Sequence, residues 1–207
     1  IRALGTAASG MYAQELQLDN TANNLANIET TGFKSSRLSF QDLYYDRIKT
    51  VSTLSQETGA TGVVEIGYGS HAAGSHRNFK QGSLTETSNP TDVAIVGDGF
   101  IGVQMPDGTM SYTRDGGLQL TADGTLTTTG GFPVEPEIVV PQEAESLVIG
   151  SDGGVWAYLA GEAEPQLLGQ MTLNKFINPA GLKSTGENLF QATDVSGEPQ
   201  IGIAGED

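Results

Sequence analysis

Five Asp-Gly pairs punctuate the chain after residue 63, and they constrain its fold more than any other feature. Asp-Gly is a tight-turn sequence, because glycine adopts positive φ without a Cβ clash. The first four pairs are spaced 9, 8 and 8 residues apart, and alternating runs such as "FIGVQM", "TMSYTR" and "GLQLT" lie between them. Short strands with turns at this spacing predict an antiparallel meander. The pairs are Asp98-Gly99, Asp107-Gly108, Asp115-Gly116, Asp123-Gly124 and Asp152-Gly153.

The same pattern predicts one all-β domain in the second part of the chain. Further strands are predicted at "DVAIV", "EIVV", "SLVIG", "GVWAYLA" and "QLLGQMTL". The chain holds 28 glycines, about twice the usual share, which agrees with many tight turns. The tail 191–207 is polar and predicts no further element. Residues 51–62, "VSTLSQETGATG", are small and polar, and predict a linker or long loop.

Residues 1–28 predict a single helix, because apolar residues recur at 4-3 spacing and no proline interrupts them. Glu15 is the one polar break in this stripe, and Gly32 is a candidate helix stop. A lone helix of this kind is not stable in water without a partner. It is either a surface helix of its own domain or an assembly helix. The apolar stripe consists of Leu4, Ala8, Met11, Leu18, Ala22 and Leu25.

A second stripe, of asparagines, lies on the opposite side of the same helix. Asn20, Asn23, Asn24 and Asn27 fall at i, i+3, i+4 and i+7, the spacing of one helical face. Side-chain amides both donate and accept hydrogen bonds without carrying charge. Identical subunits that repeat a charged face would repel one another, and amides avoid that. The stripe is predicted to be a second assembly face, which either lines a channel or packs between protomers.

The charge distribution excludes several classes of function. The net charge is −15, and residues 51–207 carry five basic and twenty acidic side chains. Nucleic-acid and anionic membrane surfaces need clusters of lysine and arginine, so neither partner is predicted. No apolar run is long enough to predict a transmembrane helix. The N-terminus also lacks the layout of a cleavable signal peptide.

No motif in the sequence predicts a catalytic or ligand-binding site. The G-x-G-x-x-G match at 97–102 leaves no room for the helix that a dinucleotide site needs, so it predicts a turn into a strand. His71 and His76 lie in a Gly/Ser-rich stretch, interpreted as a loop, without further ligands at metal-binding spacing. Trp156 alternates like a strand residue and is predicted to be core rather than a sugar platform. No catalytic residue, metal or cofactor is predicted.

The segment "SGMYAQELQLDNTANNLANIETTGFK" resembles the N-terminal signature of the bacterial flagellar axial proteins, the rod and hook families. In that signature a helix ends in "ANNLAN", and Gly-Phe-Lys follows, here Gly32, Phe33 and Lys34. Later segments resemble the distal rod branch of these families in the same order. They are "FQDLYYDRI", "NPTDVAIVGDGFIGV", "PDGTMSYTRDGGL" and "GLKSTGENLF".

The resemblance implies a structural protein and not an enzyme. Its members are exported without a cleaved signal and polymerise helically into the hollow rod that crosses the periplasm and transmits torque. The implied partners are further copies of the chain, other rod proteins, the hook protein and the surrounding ring proteins. The N-terminal helix is implied to pair with a C-terminal helix, which is absent from this sequence.

The expected division follows from pattern and resemblance together. Residues 1–32 are the assembly helix, 33–75 an extended connector and loop, 76–190 the all-β domain, and 191–207 a return segment toward the C-terminal helix. Three alternatives stay open. They are a proximal rod or hook protein, a secreted β-rich adhesin or carbohydrate-binding module using Trp156 or Tyr158, and a hydrolase with paired acids, for which no feature speaks.

Overall fold

The computed structural model describes residues 2–51, 62–161 and 164–205, and within them the chain is mainly β. One α-helix, α1 (Arg2–Ala26), stands at the N-terminus, and the paired strands are antiparallel. The predicted fold class is thereby confirmed. The chain groups into two compact units, unit 1 (Ile1–Ile28 and Ser35–Asn78) and unit 2 (Glu29–Lys34 and Phe79–Asp207). The domain boundaries expected from the sequence stay a prediction.

The strands are short and are numbered in chain order. They are β1 (Ser36–Asp42), β2 (Tyr45–Val51), β3 (Gly62–Gly67), β4 (Ser70–Arg77), β5 (Phe100–Gln104), β6 (Met110–Thr113), β7 (Leu118–Leu120), β8 (Leu126–Thr128), β9 (Val134–Glu135), β10 (Ala144–Ile149), β11 (Gly154–Leu159), β12 (Gln166–Gln170), β13 (Thr172–Lys175), β14 (Lys183–Gly186), β15 (Leu189–Gln191) and β16 (Gln200–Ile203).

Unit 1 consists of α1 and two antiparallel ribbons. One ribbon pairs β1 with β4 and has a bulge after Ser39, and α1 packs against it. The other pairs β2 with β3. The stretch 33–75, expected to be a connector, therefore contains four strands, and most of the predicted linker 51–62 lies outside the described residues. His71 and His76 lie in β4, so their interpretation as loop residues is wrong.

Unit 2 is built on a seven-stranded antiparallel sheet. Its strand order is β14-β15-β6-β5-β13-β16, and the short strand β9 pairs separately with β5. A three-stranded sheet, β10-β11-β12, and the β7-β8 pair complete the unit. The strand β16 pairs with β13 over four residues, from Thr172↔Ile203 to Lys175↔Gln200. The expectation that the tail adds no element is therefore wrong.

The predicted meander is interrupted after its first hairpin. The turn at Asp107-Gly108 joins β5 to β6, but β6 then pairs with β15 while β7 pairs with β8. Asp115-Gly116 is a close crossing rather than a hairpin turn, because the Val93 amide donates to the Gly116 carbonyl at 2.9 Å. A side chain at Gly116 would collide with the Val93 carbonyl. The chain thus leaves the sheet at this point.

Two predicted strands are not strands. In "DVAIV", Asp92 makes an isolated bridge to Gly117, and in "EIVV", Val139 makes one to Thr125. Both segments still contribute apolar side chains to the core, since Val93 and Ile95 pack against it and Ile138 and Val140 are buried. Burial of apolar runs without ladder pairing explains why the periodicity was misleading here.

Two clusters of buried side chains form the core, and both lie in unit 2. The second cluster is aromatic, and its rings meet edge to face, with centroids 4.8 Å apart for Tyr112 and Phe176. In β11, Val155 and Ala157 are fully buried and face the core. Trp156 lies on the opposite face of the strand and is half-buried. The larger cluster is Ile101, Val103, Leu118, Leu126, Val134, Ile138, Val140, Leu147, Val155, Met171 and Leu189, and the aromatic cluster is Phe100, Tyr112, Phe176, Leu182 and Phe190.

Candidate assembly surface

The apolar stripe of α1 lies at the surface. Leu4, Met11, Leu18 and Leu25 are 73%, 68%, 69% and 67% exposed, and each follows the last by seven residues. The stripe, with Ala8 and Ala22, is called the seam below. Seven-residue spacing is the period of a helix that packs along another helix. Four large apolar side chains therefore lie aligned and exposed along one side of the helix.

The opposite face of α1 is the one that packs within unit 1. Ala13 is buried, and Ser9 and Leu16 are half-buried. At Gly69, where φ is +110°, an added Cβ would collide with the Ser9 hydroxyl. Small residues on both sides therefore permit the close approach of the helix. As a result, the seam points away from the ribbon that holds the helix.

Two of the asparagines hold the beginning of β1. The side-chain amide nitrogens of Asn20 and Asn24 donate to the Ser36 carbonyl at 2.9 and 2.8 Å. The Ser36 amide donates to Asn24 Oδ1 at 3.0 Å, and the Ser36 hydroxyl donates to Asn20 Oδ1. Both backbone groups and the hydroxyl of one residue are thus satisfied by two amides one helical turn apart. Buried or half-buried backbone groups need such partners.

The other two asparagines lie toward the end of the stripe. Asn27 Nδ2 donates to the Asn23 carbonyl at 2.9 Å, a bond within the last helical turn, and Asn23 is exposed. The four amides therefore divide into an internal pair and a terminal pair. A role of the amide stripe in contacts between subunits stays a prediction.

The Gly-Phe-Lys motif lies in the segment that follows the helix and belongs to unit 2. Gly32 has φ +70°, and a Cβ there would lie 2.8 Å from the Asp115 nitrogen. Thr31 Oγ1 donates to Asp115 Oδ1 at 3.0 Å, and Asn188 Nδ2 donates to the Thr31 carbonyl at 2.9 Å. Glycine is needed here both for the backbone conformation and for the close approach. Helix α1 itself ends earlier, at Ala26.

Sequence reasoning missed Asn188 and Asp115 as partners of this segment. Asn188 has φ 58° and follows Glu187, with φ 51°, in the β14-β15 turn. Two consecutive non-glycine residues with positive φ are uncommon, and asparagine tolerates that region best. The local signal in "STGENLF" is weak, because glycine and asparagine tolerate positive φ but the glutamate between them does not favour it. Its contact with Thr31, 157 residues away, carries no local signal.

Lys34 anchors the end of the motif. Its ammonium group donates to the Lys80 carbonyl at 3.0 Å. Burial of the ammonium, and then the nearby charge of Arg114, hold the pKa of Lys34 below its usual value. Phe33, between Gly32 and Lys34, is half-buried, and its amide donates to the Thr30 carbonyl at 3.3 Å. The three motif residues therefore tie the exit of the helix into unit 2.

Within residues 2–51, 62–161 and 164–205, no group of three or more acidic, histidine or cysteine side chains is placed to hold a metal ion. In the same ranges, no helix has the length and apolar character needed to span a bilayer.

Two family models match the chain. Residues 4–34, which contain the seam and the Gly-Phe-Lys motif, match the family described as flagella basal body rod protein. Residues 94–157 match the flagellar hook protein FlgE/F/G D1 domain. The matches thus fall on α1 with its exit segment and on the part of unit 2 that runs from β5 into β11.

Relatives that align with most of this chain are also flagellar rod and hook proteins. The flagellar basal-body rod protein FlgG of Buchnera aphidicola (Acyrthosiphon pisum) is 42% identical over 96% of this chain and 77% of that protein. The FlgG protein of Borreliella burgdorferi is 42% identical over 100% of this chain and 79% of its own length. The hook protein FlgE of Helicobacter mustelae is 40% identical over 65% of this chain but 30% of its own length. The chain therefore belongs to the family of flagellar basal-body rod proteins, the structural subunits of the rod in the flagellar basal body.

Proposed function

We propose that this rod subunit assembles helically with further copies of itself and with other rod and hook proteins, and that the seam of α1 is the surface that drives this assembly. The observation that carries the proposal is the exposure of Leu4, Met11, Leu18 and Leu25 at heptad spacing. Monomeric proteins seldom leave an aligned apolar face in water, and such a face marks an interaction surface.

Burial of the seam in an assembly is energetically favourable. Fully burying a leucine or methionine side chain contributes about 1.5–3 kcal/mol. Four such residues on one helix are enough to order and hold it in an assembly. Ala8 and Ala22 lie between them and allow a partner helix to approach closely. Repeated contacts between non-identical surfaces of identical subunits then build a filament.

The proposal also covers the location of the rod and its mechanical function. The assembled rod crosses the periplasm and carries torque, and its subunits leave the cell interior without a cleaved signal peptide. We assign the chain no catalytic, metal or cofactor role. This part rests on the family resemblance and on the names of the relatives, which describe structural rod and hook proteins.

The test is a charge placed in the seam. Leu18→Asp or Leu25→Asp, expressed as the cell's only copy of this protein, should abolish motility in soft agar and rod assembly seen by electron microscopy. The purified variants should keep the unfolding midpoint of unit 2, reported by fluorescence of the single tryptophan, Trp156.

The matched control is Gln17→Asp, which adds the same charge to the same helix at an exposed position outside the seam. We expect this variant to assemble and swim. Loss of assembly in Gln17→Asp as well, or full motility of Leu18→Asp, would contradict the proposal.

A further inference from the structure

Three of the five lysine and arginine side chains of unit 2 gather at one corner of it. Arg114 follows β6 and Lys175 ends β13, and both line a cleft beside the rings of the aromatic cluster. Lys34 lies close enough to Arg114 for the two charges to interact. These three residues, Lys34, Arg114 and Lys175, are called the cation corner below.

Arg114 is fixed in place and still has unused donors. Its guanidinium lies over the Phe100 ring, 5.7 Å from the centroid, and is half-buried. Its Nη2 atom donates to the Gly97 carbonyl and to Gln81 Oε1. A guanidinium carries five N–H groups, and those on Nε and Nη1 have no hydrogen-bond partner among the described residues. The arginine is therefore an oriented cation that can still bind an anion.

Lys34 and Arg114 together lack a sufficient countercharge. Burial and the charge of Arg114 both lower the pKa of Lys34, so both disfavour its ammonium form. The Asp98 carboxylate raises the pKa of Arg114, but burial of the guanidinium lowers it more. Like charges that are partly removed from water are unfavourable until an anion compensates them. The cation corner is thus suited to receive a carboxylate.

The acidic side chains of unit 2 are concentrated in a different part of its sequence. Between Arg114 and Lys175 the chain has nine acidic residues and neither lysine nor arginine. Four of the nine are glutamates within residues 135–145, and all four are exposed. This stretch is called the acidic segment below, and its glutamates are Glu135, Glu137, Glu143 and Glu145.

We propose that the cation corner of one copy binds the acidic segment of a second copy, so that unit 2 makes a carboxylate contact between neighbouring subunits. The inference rests on the proposed function only in taking copies of this chain as neighbours. It uses no residue of α1.

Charge complementarity selects a second copy as the occupant. Each chain has a net charge of −15, so copies that approach one another repel. A contact between the cation corner and the acidic segment replaces part of this repulsion by attraction and fixes the register of the two copies. Because Lys34 and Arg114 are half-buried, water and salt screen their charges less than those of an exposed pair. The two surfaces differ, so the contact can repeat along a filament.

The experiment is a titration of the whole isotope-labelled chain with a synthetic peptide of residues 133–147, followed by NMR. The amides of Lys34, Gly99 and Lys175 should shift. A peptide with glutamine in place of its four glutamates should bind at least about tenfold more weakly, since the contact depends on carboxylates. Raising the salt concentration from about 50 to about 300 mM should weaken binding at least about threefold.

A matched pair of charge reversals locates the contact. Lys175→Glu should weaken binding of the peptide at least about fivefold. Lys183→Glu makes the same change on an exposed lysine outside the cation corner and should leave binding unchanged. Expressed as the cell's only copy, Lys175→Glu should slow spreading in soft agar, and Lys183→Glu should not.

Several results would overturn the inference. They are an absence of amide shifts at millimolar peptide, equal binding of the glutamine peptide, and equal effects of the two charge reversals. Equal binding of a scrambled peptide of the same composition would also overturn it, because the corner would then take any anion. All of these results leave the proposed function standing, since that is tested by the motility of Leu18→Asp. The purified Leu18→Asp chain should bind the peptide as wild type does.

Discussion

The two units of the molecule differ in where they keep their apolar side chains. Unit 2 contains both clusters of buried apolar side chains, with Val103, Leu118 and Leu126 at 0% exposure. In the described part of unit 1, Ala13 is the one residue classed as buried, while Leu18 and Leu25 remain more than two-thirds exposed. Apolar burial is the dominant favourable term in folding. Unit 2 therefore has a core that stabilises it, whereas the large apolar side chains along α1 stay exposed.

The same difference explains how α1 stays in place without a core. Its inner face relies on hydrogen bonds from amides and on small residues rather than on large apolar side chains. Hydrogen bonds specify geometry well, but each adds little net stability, about 1 kcal/mol. Unit 1 is thus shaped by polar contacts, and the proposed function assigns its further stabilisation to burial of the seam on assembly.

The largest predicted difference between the units comes from replacing one leucine by alanine in each of them. Leu118→Ala should destabilise unit 2 by about 3 kcal/mol, because it leaves a cavity in a fully buried site. Leu18→Ala, at 69% exposure, should change the free energy of unfolding of the isolated chain by less than about 0.5 kcal/mol. Urea unfolding followed by Trp156 fluorescence and by helical circular dichroism measures both. Equal losses would mean that the seam is already covered within one chain.

A smaller effect is expected on the inner face of α1, where asparagine side chains bind the start of β1. Asn24→Ala removes two hydrogen bonds to the Ser36 backbone, and should weaken local protection by about 1–2 kcal/mol. Hydrogen exchange at the Ser36 amide should speed up accordingly, with the midpoint of unit 2 unchanged. The matched control is Asn23→Ala, on the exposed side of the same turn. If both variants exchange alike, the amide pair does not hold β1.

The smallest effect concerns the ribbon of β2 and β3. Arg47 Nε lies 2.7 Å from Glu65 Oε1, and the two side chains are 74% and 38% exposed. Solvent-exposed ion pairs contribute between zero and about 1 kcal/mol, and salt screens them. A double-mutant cycle of Arg47→Ala and Glu65→Ala, read by hydrogen exchange in β2, should give a coupling below about 0.5 kcal/mol. A coupling above about 1 kcal/mol would show that this ribbon depends on charge rather than on a partner.

The sequence predicted what is periodic and local. Helix α1, its seam and the β-rich second part follow from spacings of seven, of two, and from Asp-Gly turns, all readable within a short window. The "DVAIV" and "EIVV" segments went wrong because burial by itself produces an apolar run, whether or not the backbone joins a ladder. Long-range pairing, as between β13 and β16, leaves no such trace.

In the candidate assembly surface, the sequence likewise did not predict the contact partners of single residues. The spacing of Asn20 and Asn24 placed them on one face of the helix, but nothing in the pattern identified Ser36 as their partner. That contact depends on the path of the chain through residues 27–35, which turns back on the helix. Likewise, Gly32 could be recognised as a special backbone position, whereas its approach to Asp115 and the bond from Asn188 to Thr31 arise only through the tertiary fold.

The assignment of residues 29–34 to unit 2 means that the polypeptide passes between the units at three places, after Ile28, Lys34 and Asn78. A cut after Asn78 divides the linear chain into 1–78 and 79–207. The two fragments then stay joined by hydrogen bonds inside unit 2, which link the segment 29–34 to Lys80, Asp115 and Asn188. A cut inside 29–34 separates α1 covalently from the rest of the chain, while the amides of Asn20 and Asn24 still bind Ser36. A single cut therefore leaves hydrogen bonds that hold the fragments together.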